Sequence, residues 1–159
     1  MIITKQTDSK SWLDALVAAT NETSDQFLGL GDIRVIATTD SLPEMATAGF
    51  VSLVGDSSAV QVGIAASADG CQLLAKSLMG MTDEDEDLPH SDVIDALGEL
   101  ANIVAGGVKG RMVDTGETML LGLPLVLDGT LQVTDRQKVL CAECMIGSIQ
   151  AHLLVICVS

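Results

Sequence analysis

Asp95, Glu99 and Asn102 follow one another at spacings of four and three within an otherwise apolar stretch. At 100° per residue they share a stripe about 60° wide on a helix with Gly106, and Lys109 stands at its edge. Glu99 and Asn102, three apart, project side by side from one surface. A carboxylate repels a phosphoryl group, so Glu99 is a poor phosphate ligand; it suits pairing with a partner's lysine, or work as a general base. An amide carries a donor and an acceptor without charge. Asn102 can therefore orient a water for in-line attack on a phosphoryl group at no electrostatic cost. Two residues alone read more readily as an ordinary surface pair.

The element that must hold them is a long helix, expected from Ser91 to Val113. Ile94, Leu97, Leu100, Ala101, Ile103, Val104, Ala105 and Val108 occupy most of its remaining circumference, so that face should dock on a sheet and leave the polar row outward. Small residues follow the row at Gly106, Gly107 and Gly110, which would let another backbone approach. Upstream, Ser11 to Phe27 has helical periodicity and is broken by Gly29 and Gly31. Strands are expected at Ile33–Ala37, Thr47–Val54 and Ala59–Ala65, the last two joined by a turn at Gly55–Ser58. Ser67 or Asp69 should cap a short helix that runs through Leu78 and ends at Gly80. Beyond the long helix, strands are expected at Thr118–Leu121, Leu131–Thr134, Lys138–Ile146 and Gln150–Val158. Asp128-Gly129 reads as a turn and Gly147-Ser148 as a hairpin loop. This block order points to an α/β (α+β) fold with a largely antiparallel sheet.

Composition narrows the partners. Eight Lys and Arg against 22 Asp and Glu leave a net charge of -14, and only three aromatic residues are present. There is neither a basic phosphate footprint nor a stacking platform, so nucleic-acid binding is excluded. No apolar run reaches the length of a spanning helix, and the first residues lack a signal-peptide pattern, so no membrane role and a cytoplasmic location are expected. Cys141 and Cys144 lie on a strand, where residues three apart point to opposite faces. With no second close pair of ligands, the four cysteines read as core thiols and no metal site is expected. The acidic run Asp83–Asp87, inside a linker at 82–89, reads as solvated chain whose charge also favours the start of the next helix.

The chain also resembles itself. Asp14–Asn21 aligns with Asp95–Asn102 at an offset of 81, with Asp, Ala, Leu and Asn shared, and the same offset carries Leu42-Pro43 onto Leu123-Pro124. One domain over 1–159, made of pseudo-repeats at about 9–80 and 90–159, is the expected organisation.

The stretch Asp95-x-x-x-Glu99-x-x-Asn102, with Pro124 just over twenty residues beyond, resembles the signature helix of the CheC/CheX chemotaxis phosphatases, and the likeness runs through nearly the whole chain. It implies two pseudo-symmetric halves of helix plus antiparallel strands around one sheet, with the motif helix on its face. It implies hydrolysis of the aspartyl-phosphate of a CheY-like response-regulator receiver. Asn102 would position the attacking water and Glu99 would bind the receiver's lysine. Asp95 and Gly106 would be supporting residues. No cofactor would be bound by this chain, and Mg²⁺ would sit in the receiver's own pocket. The first half has Ala18 where the second has Glu99, so one working site is expected, as in CheX, together with a homodimer. The competing expectation is a non-catalytic receiver-binding or flagellar-switch-like module. A small-molecule hydrolase using Glu99 as base is disfavoured for want of a neighbouring histidine, nucleophile or metal cluster.

Overall fold

The computed structural model describes residues 8–44, 46–56, 58–113 and 118–158. The first helix, α1 (Ser9–Thr23), starts where the Asp8 carboxylate accepts the Ser11 N–H at 2.8 Å, satisfying one of the orphan donors of the first turn. It widens into a looser turn over Ser24–Leu28 and stops at Gly29, whose φ of 67° suits a residue without a side chain. The expected helix at Ser11–Phe27 thus comprises these two segments.

Among the described residues seven strands follow: β1 (Arg34–Thr39), β2 (Ala46–Val54), β3 (Ala59–Ala66), β4 (Leu120–Leu121), β5 (Leu125–Gly129), β6 (Gln137–Ile146) and β7 (Ile149–Val158). They form one antiparallel sheet in the order β1-β6-β7-β3-β2-β4, and β5 also pairs with β2. The centre is the β3–β7 pair, in register from Val60 with Cys157 to Ala66 with Ala151. Each central strand is flanked by its own hairpin partner, and each hairpin by an edge strand drawn from the other half of the chain.

Two expectations fail here. Leu131–Thr134 is not a strand, and Asp128-Gly129 is not a turn between strands but the end of β5, where Asp128 pairs with Thr47 and Gly129 with Ala46. The cause is non-local. The free edge of β2 recruits Leu125–Gly129 into its ladder, while Leu131 folds over the opposite face of the sheet, against Ala48, Phe50, Val139, Cys141, Leu154 and Ile156.

The main core lies between the helices and one face of the sheet, including Leu16, Leu53, Ile64, Leu97, Leu100, Ile146 and Leu153. Two glycines set how closely the layers approach. A Cβ on Gly49 of β2 would come within 2.9 Å of the Leu97 carbonyl oxygen and 3.2 Å of the Ala101 Cβ. The long helix, α3 (His90–Arg111), therefore rides directly on the β2 backbone. A Cβ on Gly107 would meet the Ala19 Cβ at 2.9 Å, so α1 and α3 cross in close contact, and Arg111 ties the crossing by pairing with Glu22.

The acidic linker is less free than expected. Ser67, not Asp69, caps α2 (Ala68–Leu78) by accepting the Gly70 N–H. From this helix the buried Lys76 ammonium donates to the Asp85 carbonyl at 2.9 Å and to the Asp87 carboxylate at 2.8 Å. Gln72 holds Leu88 by accepting its N–H and donating to its carbonyl. These bonds deliver the chain to the start of α3 from a fixed direction.

Candidate functional site

Helix α3 turns Leu97, Leu100, Ala101, Val104, Ala105 and Val108 into the core and leaves Asp95, Glu99, Asn102 and Gly106 exposed in one row. The amphipathic pattern works as expected: burying the apolar arc fixes the helix's rotation, and that rotation presents the row. Among the described residues, no hydrogen bond or ion pair engages Glu99 or Asn102. Both polar ends are therefore available to an incoming molecule. Gly106 has nothing within 4 Å of where its Cβ would be, so no internal packing requires a glycine there.

The row has a wall that the sequence reading did not place. A Cβ on Gly98 would lie 3.7 Å from the Pro124 Cβ and 3.8 Å from the Val126 Cγ2. Pro124 and Val126 therefore pack along the flank of α3 at Gly98, one turn before Asn102, while Leu125 and Leu127 face the other side of the sheet among Phe50 and Ile156, the alternation a strand imposes. Pro124 was legible only as a spaced motif residue, and its contact with Gly98 depends on the β2–β5 pairing. At the other end of β5, Asp128 accepts a hydrogen bond from Thr47 and faces the His90 Nε2 at 3.5 Å, so the strand follows the helix back to its first residue.

The corresponding surface of α1 is built differently. Ala18 stands in place of Glu99, and Asn21 is occupied. Its Oδ1 accepts the Ile33 N–H at 2.7 Å, and its Nδ2 donates to Asp32 at 3.3 Å. The amide braces the turn into β1 and is not free to hold a water.

Cysteine chemistry lies elsewhere and is suppressed. Cys141 packs on the open face of the sheet and Cys144 in the main core, opposite faces as their spacing implies, and all four thiols are free. Burial, with smaller charge effects, raises Cys71 and Cys141 to about 11 and Cys144 to about 12, and burial also raises Cys157. Protonated thiols are poor nucleophiles and poor metal ligands. Among the described residues, no three side chains of His, Cys, Asp or Glu converge as a metal site, and no helix is long and apolar enough to cross a membrane.

The candidate site is thus an exposed polar row on a helix whose apolar side is buried against the sheet. The seven-stranded sheet with helices packed on one face makes this a mixed α/β fold. The family described as Chemotaxis phosphatase CheX matches residues 47–145, well over half of the chain and the whole of α3. The chain belongs to that family. Solved structures share its fold. A CheC-like superfamily protein from Shewanella sp. PV-4 aligns with a TM-score of 0.78 at 15% identity, over 96% of this chain and 100% of that one. The chemotaxis protein CheX from Vibrio vulnificus gives 0.76 at 16% identity, over 92% and 98%. CheX of Borrelia burgdorferi, solved as a complex with CheY, BeF3 and Mg²⁺, gives 0.70 at 14% identity, over 94% and 97%. No curated protein matches the sequence.

Proposed function

We propose that this chain is a phosphatase that hydrolyses the aspartyl-phosphate of a CheY-like receiver domain, in chemotaxis or a related two-component pathway. The observation that carries this reading is the exposed, unengaged Glu99–Asn102 pair on a helix whose family is the CheX phosphatases. The Borrelia relative solved together with CheY supports a receiver as partner.

In this mechanism α3 enters the receiver's phosphorylation cleft. Glu99 pairs with the receiver's lysine and sets the depth of entry. The Asn102 amide accepts from, and donates to, a water in line with the scissile bond. The water oxygen bonds to phosphorus as the bond from phosphorus to the aspartyl oxygen breaks. The aspartate leaves as a carboxylate, and the water's protons depart with inorganic phosphate. Mg²⁺ belongs to the receiver's acidic pocket and neutralises phosphoryl charge there; this chain supplies no ligand to it. Asp95 supports the first turns of the row and Gly106 keeps its far end low.

The same reading treats the chain as one domain of two related units, at about 9–80 and 90–159, acting in the cytoplasm with a single working site. Support for the duplication comes from the shared offset and from the exchange of edge strands between the halves. Two copies would pair along the β1 edge, where Val35 and Ile36 are exposed, and light scattering at micromolar concentration would then give twice the chain mass.

The test is made on Glu99. Phosphate release from a receiver phosphorylated with acetyl phosphate is followed at increasing receiver concentration. Glu99→Gln should raise KM about tenfold or more, because it removes a charged partner of a lysine, and should lower kcat less. Release equal to wild type from Glu99→Gln would remove Glu99 from the mechanism. If the wild-type chain binds phosphorylated receivers without releasing phosphate, the non-catalytic module is the correct reading.

A further inference from the structure

Charge along the α3 row is polar. Asp95 and Glu99 occupy its N-terminal part, Asn102 and Gly106 are neutral, and Lys109 follows on the same side, partly exposed. At 1.5 Å of rise per residue, Glu99 and Lys109 are about 15 Å apart along the axis. Helical side chains lean toward the N-terminus, so Lys109 is directed back along the row, past Gly106, where nothing stands within 4 Å of a Cβ position. The other cation of the last turn, Arg111, is consumed by Glu22 and the Gly107 carbonyl. Lys109 has no ion pair among the described residues.

We propose that Lys109 is a specificity-determining contact for the receiver, pairing with a carboxylate on the rim of its phosphorylation cleft. This rests on the receiver-phosphatase reading. With Glu99 calling for a cation and Lys109 for an anion about 15 Å further along, a receiver can lie on the row in one direction only. Reversal would set lysine against lysine and carboxylate against carboxylate. The contact also selects among receivers, because those without an acid at that rim position lose one of two anchors in a partner of net charge -14. A cation near a helix C-terminus also offsets the macrodipole, but that role is internal and predicts an effect on melting temperature with none on KM.

The experiment uses the full chain and each CheY-type receiver of the source organism, phosphorylated with acetyl phosphate, with kcat and KM measured at low and high salt. Lys109→Glu should raise KM about fivefold to tenfold at low salt with kcat within twofold. Lys109→Gln should raise it less and flatten its salt dependence. One acid-to-lysine substitution on the receiver rim should restore the KM of Lys109→Glu. An unchanged KM, or a raised KM that no rim substitution rescues, overturns the proposal while wild-type turnover leaves the phosphatase reading intact. A wild type that dephosphorylates no receiver overturns both.

Discussion

Asn102 and Asn21 are the same residue type at matching positions of two similar helices, and their surroundings give them opposite duties. Asn102 is exposed and unengaged among the described residues, whereas both ends of Asn21 are spent on Ile33 and Asp32. Asn21→Ala should therefore destabilise the fold by about 1–3 kcal/mol, the cost of leaving a partly buried N–H unsatisfied, with receiver dephosphorylation unchanged. Urea titration and phosphate release, measured on one preparation, check both halves of that statement. The motif pair was legible because its spacing alone puts it on one helix face. The duty of Asn21 was not, since its partner N–H lies twelve residues away and is brought back only by the turn through Gly29 and Gly31.

For the elements, the rotation of α3 and its seat on β2 decide whether the row is presented at all. Gly49→Ala places a methyl against the Leu97 carbonyl and should cost about 1–3 kcal/mol through overpacking. It should also lower phosphatase activity by displacing the helix. Gly106→Ala meets nothing in the free protein, so it should raise stability by about 0.5–1 kcal/mol, the usual helix penalty of glycine. It should raise KM for the receiver at the same time, because in the proposed complex the added methyl would stand where the partner backbone approaches. Thermal melts beside KM measurements distinguish the two glycines. Helices α1 and α3 were readable from periodicity, and α2 from its cap. Strand β5 was not: Pro124 and Asp128-Gly129 are turn signals in isolation, and only the unpaired edge of β2 makes a strand of the residues between them.

For the whole molecule, order in the sheet is what sequence could least reveal. Edge strands exchanged between the halves are long-range pairings with no local signature, although the internal offset hinted at two units. Burial in the assembled fold also sets its response to alkali. Cys71, Cys141 and Cys144 are raised from an ordinary value near 9 to about 11, 11 and 12, so the folded state holds these protons more tightly than the unfolded chain does. The stabilisation this gives is complete below pH 9 and is lost as pH rises toward 11–12. The urea midpoint should accordingly decline above about pH 9, and less steeply in Cys144→Ala than in wild type. In the proposed mechanism sheet, helix and row serve one act, placing the Asn102 amide beside a water in another protein's cleft. The most direct measurement of that act is the half-life of the phosphoaspartate in a CheY-type receiver, with wild type and with Asn102→Ala at saturating concentration. Wild type should shorten the half-life, and Asn102→Ala should lose about a hundredfold of that acceleration while still binding the receiver. An Asn102→Ala protein that shortens the half-life as well as wild type would contradict the proposed mechanism.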